Sequence, residues 1–117
     1  MNRRLTLLTT VLCLALAVAV PFNAATASDD VSGQNIYMHG SPEGAAPCAA
    51  CHGLQARGRP GMEAPALAGR PVALLEERLT FFASGKGNAI MRIIAGKLTA
   101  RERSAVARYV SGLPAAE

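Results

Sequence analysis

The sequence predicts a small all-α domain of three to four short helices, with part of its core supplied from outside the chain. Three observations carry this reading. No stretch alternates apolar and polar residues for long enough to make a sheet. Apolar residues recur instead at helical spacing, in short segments bounded by glycine and proline. Aromatic content is only 4% with no tryptophan, and several apolar residues fall outside the helical segments, so these helices alone are a poor basis for a core.

The first 27 residues read as an address. "MNRRLTLLTTVLCLALAVAV" opens with Arg3 and Arg4, continues as an apolar run, and leads to Ala25-Thr26-Ala27, a small-x-small site for cleavage after Ala27. The division expected is a signal peptide over 1–27 and one exported domain over 28–117, placed in the periplasm. A retained anchor is the competing reading, because the run with its flanks is near the lower length limit for a spanning helix; after cleavage no stable membrane span remains. Cys13 follows Leu12 inside the apolar run, where a lipoprotein signal would want a small residue, and it leaves with the leader.

The 12 basic and 8 acidic residues give a net charge of +4; loss of Arg3 and Arg4 leaves ten against eight, an excess of +2. That excess is too mild and too evenly spread to argue for nucleic acid.

Within the domain, a first helix is expected over 29–38, with acidic residues at its positive end and Gly40 near its stop. On it, Gly33, Ile36 and Tyr37 share a face, and the glycine permits close approach of another helix. Residues 53–69, "GLQARGRPGMEAPALAG", are too rich in glycine and proline to hold a regular element, and a loop this long in so small a domain is functional or wrapped around something. A second helix runs from Pro71, in a first-turn position, to near Gly85, with Val72, Leu75, Leu79 and Phe82 on one face. Then comes "GKGNAIMRIIAGK", read as a second irregular segment holding Met91. The last helix is bounded by a capping box, Thr99 with Glu102, and by Gly112 and Pro114; Val106, Tyr109, Val110 and Leu113 form its buried stripe.

The chemistry concentrates in "APCAACHG", residues 46–53. Export leaves Cys48 and Cys51 as the domain's cysteines, in a compartment where exposed thiols oxidise. A thiol-disulfide oxidoreductase would set them at a helix start within a βαβ framework, which is absent from the pattern. A structural zinc site needs four ligands, and Cys48, Cys51 and His52 leave His39 to complete it. The third reading is covalent haem attachment, whose signature is Cys-x-x-Cys-His. Two thiols add across the vinyl groups of one porphyrin, Ala49 and Ala50 let one turn of backbone span the gap, and His52 is held beneath the iron as proximal ligand. Motif, cysteine count, leader and deficient core all agree with one haem c. For the opposite face of the iron the domain offers Met38, His39, Met62 and Met91; Met91 is separated from the motif by a helix long enough for the chain to cross to that face.

The order of first helix, "CAACHG", glycine-rich loop, "PALAG", helix, "NAIM" and capped terminal helix resembles class I cytochrome c, especially the small bacterial monohaem members and the halves of dihaem cytochromes. The resemblance covers nearly all of residues 30–114. It implies a cytochrome c-like fold around one covalently attached haem, with the N- and C-terminal helices crossing where Gly33 and Tyr37 meet Tyr109. It also implies Cys48 and Cys51 as the thioether sites, His52 as proximal and Met91 as distal iron ligand, and the Pro65 carbonyl as partner of the His52 Nδ1–H. This chain departs from the pattern at Arg70, where glutamine is often found, at Leu74, where an aromatic is usual, and at Arg78, where glutamine is common. These positions bear on propionate contacts and potential, not on haem attachment.

An iron closed by His52 and Met91 has no site for a substrate, so the expectation is an electron carrier and not an enzyme. Leu67, Leu75, Leu79, Ile90 and Ile94 would pack around the ring and exclude water. The expected partners are redox proteins, an oxidase, reductase or dehydrogenase, with the chain a monomer or a subunit of a complex. Arg57, Arg59, Lys86, Arg92 and Lys97 either steer an acidic partner or simply face water. Two alternatives stand beside the carrier: the cytochrome subunit of a periplasmic dehydrogenase complex, and a haem sensor or ligand-binding protein if Met91 is not an iron ligand.

Overall fold

The computed structural model describes residues 31–117, so the leader, with Asp29 and Asp30 of the expected first helix, lies outside the described residues. Among the described residues five α-helices follow one another: α1 (Gly33–His39), α2 (Ala49–His52), α3 (Val72–Ala83), α4 (Ala89–Gly96) and α5 (Ala100–Ser111), with a 3₁₀ turn at Pro60–Met62. Among the described residues the extended pairing amounts to one isolated bridge, Arg59 with Ala64. No described helix is long and apolar enough to cross a membrane.

The first helix starts later than the acidic residues suggested. Ser32 is its N-cap, its hydroxyl accepting the Asn35 N–H, so Val31 stays outside the helix. Gly40 ends it at φ 90° and returns its N–H to the Ile36 carbonyl. The second long helix has Pro71 as the residue before its first turn and stops at Ala83. The segment expected to be irregular around Met91 is helical. Asn88 caps α4 by accepting both the Ile90 and Met91 N–H groups, a start signal hidden between glycine-rich residues and the apolar run. In α5 both arms of the capping box form, Glu102 N–H to the Thr99 hydroxyl at 3.2 Å and Thr99 N–H to the Glu102 carboxylate at 2.7 Å.

Helix α1 lies across α5, while α3 packs on both α4 and α5. The α1–α5 crossing is close because Gly33 has no side chain. A Cβ there would meet the Ala105 carbonyl carbon at 2.6 Å and Tyr109 Cβ at 3.0 Å. One turn further on, the rings of Tyr37 and Tyr109 meet at 5.6 Å, tilted by 52°. Ser104 donates to Glu76 and accepts from Arg108, tying α5 to α3. Of the expected α5 stripe, Val106 and Val110 are buried, and Tyr109 and Leu113 are partly buried against the core.

Candidate functional site

Within residues 46–53, Ala49–His52 form a single helical turn. Cys48 precedes α2, and its carbonyl accepts the N–H of Cys51 at 3.2 Å and of His52 at 2.9 Å. Both cysteines are partly buried and unbridged. Burial pushes the Cys48 thiol up to about 11, with neighbouring Cys51 adding to the rise. A thiol-disulfide nucleophile needs the opposite shift. Nor does any group of three or more His, Cys, Asp or Glu side chains among the described residues converge as a metal site, which removes the zinc reading's ligand set.

His52 is buried, and its Nδ1 lies 2.9 Å from the Pro65 carbonyl oxygen. A carbonyl only accepts, so in the neutral ring the proton sits on Nδ1 and Nε2 keeps its lone pair. The loop 53–69 builds this contact. Gly58 donates to the His52 carbonyl at 2.9 Å and adopts φ 81°; a Cβ on it would meet Ala64, Pro65 and Ala66 backbone atoms at 2.7–2.9 Å. Beneath it Ala56, fully buried, accepts both the Leu67 and Ala68 N–H groups at 2.8 and 3.0 Å. The segment read as irregular is thus a fixed strap carrying Pro65 back to the imidazole.

Two further anchors were not legible in the sequence. The Tyr37 hydroxyl donates to the Gly53 carbonyl at 2.6 Å, joining the α1–α5 crossing to the residue after His52. Arg59 Nη1 donates to the Ala50 carbonyl at 3.3 Å, within the motif turn. The pairs are 16 and 9 residues apart, and no local pattern brings them together. Tyr37→Phe is expected to cost about 1 kcal/mol in urea unfolding of the haem-loaded protein, since it removes the shorter of the two hydrogen bonds to the Gly53 carbonyl and leaves the Ala56 N–H at 3.2 Å. Burial, then nearby Cys48 and Tyr109, push the Tyr37 hydroxyl from 10.0 to about 12. The folded state therefore holds this proton where the unfolded chain has released it. That stabilisation is complete below pH 10 and is lost as pH rises through about 12. The phenylalanine variant should show a correspondingly shallower loss over that window.

Met91 sits in the first turn of α4, half-buried. Among the described residues, the partly buried apolar side chains packed on the core include Met38 and Ile94 but not Met91. Met62 is 53% exposed and His39 is exposed. Of the side chains expected around a ring, Leu75 is buried, Leu67, Leu79 and Ile94 partly so, and Ile90 is 63% exposed.

The donor set fits a covalently attached haem: two unbridged thiols on one helical turn, and an imidazole oriented through Nδ1 with Nε2 available. An all-α fold with crossing terminal helices and a Cys-x-x-Cys-His turn between them is the architecture of a class I cytochrome c domain, and this chain is similar to one half of a dihaem cytochrome. No protein-family model matches the chain. It is 42% identical over 74 residues to the thiosulfate dehydrogenase electron acceptor of Thiomonas intermedia (strain K12), a match covering 62% of this chain and 34% of that protein. It is 31% identical over 88 residues to cytochrome c4 of Azotobacter vinelandii, covering 70% and 42%. The solved cytochrome c4 of Acidithiobacillus ferrooxidans superposes with a TM-score of 0.65 at 32% identity, over 69% of this chain and 48% of that one. The matched region thus spans about a third to two-fifths of the length of these curated relatives.

Proposed function

We propose that this chain is an exported, periplasmic electron carrier that moves one electron between redox proteins and catalyses no reaction of its own. Residues 1–27 serve as the cleaved leader and 28–117 as the working domain. Cys48 and Cys51 would hold the haem through two thioethers, and His52 Nε2 and the Met91 thioether would hold its iron. A haem held in this way supplies one-electron exchange between ferric and ferrous iron, with the soft thioether favouring the reduced form.

The observation that carries this reading is the His52 Nδ1–H bond to the Pro65 carbonyl at 2.9 Å. It holds the ring plane and fixes the tautomer, leaving the Nε2 lone pair as the donor. Tyr37 and Arg59 brace the same turn from outside. Asn88, by capping α4, sets the position of the Met91 backbone in the same manner.

If His52 and Met91 both hold the iron, the ferrous protein is expected to cycle reversibly and to take up no carbon monoxide on mixing. Immediate carbon monoxide binding would overturn the carrier reading in favour of a ligand-binding protein. The 42% identity to a thiosulfate dehydrogenase electron acceptor supports a narrower second reading, in which the donor is a periplasmic dehydrogenase of that kind.

A further inference from the structure

Helix α4 carries Met91 on one side and an unusual surface on the other. At about 100° per residue, Met91, Ile94 and Ala95 fall on one arc, and burial agrees: Ala95 is fully buried and the other two are partly so. Ala89, Ile90, Ile93 and Gly96 lie on the opposite arc with Arg92, and all five are exposed. The two isoleucines are 63% and 62% exposed. Ile93 comes two residues after Met91, roughly 160° round the helix axis, so a group bound on the Met91 side cannot cover it. A solvent-facing arc of two isoleucines and two small residues is an apolar patch without a partner among the described residues.

Charge indicates what covers it. Between Glu77 and Glu102 the sequence holds no carboxylate side chain, while Lys86 and Lys97 stand just beyond the two ends of α4 and Arg92 lies along its edge. Arg92 is held by a hydrogen bond to the Gly85 carbonyl at 3.4 Å. A second copy of this chain would set these cations against their own kind. Carboxylates around an apolar centre would complement them, and charge of that sign speeds encounter.

We propose that the outward arc of α4 is the docking surface for the electron donor, a protein that presents an apolar patch rimmed by Asp and Glu. This rests on the electron-carrier reading, because a partner seated there lies roughly one helix diameter, ~10 Å, from the Met91 side of the helix. The patch supplies the contact and the rim supplies orientation.

The test uses the haem-loaded chain with the thiosulfate dehydrogenase of Thiomonas intermedia plus thiosulfate as donor, followed by stopped-flow absorbance. The wild type should be reduced at a second-order rate that falls as ionic strength rises. Ile93→Glu should slow this step roughly tenfold or more, and Ile93→Ser by a smaller factor. Both variants should keep the wild-type spectrum, melting temperature and rate of reduction by dithionite. Equal rates for wild type and Ile93→Glu, or no reduction of the wild type by this donor, overturns the proposal. So does a wild-type rate indifferent to salt, or sedimentation showing a dimer that Ile93→Glu dissociates. Failure of the carrier reading looks different: the wild type would then lack a six-coordinate haem spectrum before any donor was added.

Discussion

Replacing Cys48 and Cys51 together by alanine is expected to yield a chain that keeps no haem through denaturation and does not fold cooperatively at 25 °C. The core explains the size of the effect. Of the thirteen buried apolar residues among those described, seven are alanine, at positions 45, 49, 56, 68, 95, 105 and 107. Alanine buries one methyl group, and at about 0.8 kcal/mol per buried carbon such a core contributes little against the entropy of ordering the chain. Tyr37 and Val110 are the largest fully buried side chains. A tetrapyrrole would fill the volume that these small side chains leave, and would take up the free Nε2 of His52. Far-UV circular dichroism with urea titration reads the outcome. A cooperative transition in the double variant at the wild-type midpoint would mean that the protein core suffices by itself.

Gly33→Val should destabilise the haem-loaded protein by about 3 kcal/mol or more, at the upper end of overpacking effects. The colliding atoms belong to the α5 backbone at Ala105, so no flexible side chain can yield. Relief requires α1 to move off α5, which separates Tyr37 from Tyr109 and draws the Tyr37 hydroxyl away from Gly53. Gly33→Ala is the sharper comparison. Helix propensity alone would make alanine better by up to about 1 kcal/mol. A net loss with alanine, read from urea midpoints, therefore isolates the crossing as the cause. No loss would show that the helices have room to part.

The all-α class and the order of the long helices were legible because their signals are local. The Thr99–Glu102 box and the Val106–Val110 stripe each lie within one or two turns, and both are in place. What escaped reading was set by tertiary packing or by competing local signals. Helix α4 was obscured by Gly85 and Gly87 before it, although Asn88 is an ordinary capping residue. The loop 53–69 looks structureless because its order comes from bonds among its own backbone groups, such as both Leu67 and Ala68 to Ala56. At the site, Cys48, Cys51 and His52 stood out because their chemistry is contiguous. Tyr37 was read as helix-crossing core, and its hydroxyl bond to Gly53 emerges only when α1 and α2 are brought together. The exposure of Ile90 and Ile93 on one side of α4 was not legible, because it depends on which face of that helix packs against α3.

The proposed ligation of iron by Met91 turns an attached haem into an electron carrier, and it is tested most directly by the ferric absorption spectrum of wild type against Met91→Ala. The wild type should show the weak sulfur-to-iron charge-transfer band. The variant should lose it, bind carbon monoxide in the ferrous state and fall in reduction potential, while keeping its covalent haem through Cys48 and Cys51. A ligand field unchanged by Met91→Ala would contradict the assignment and return the distal ligand to Met38, Met62 or His39.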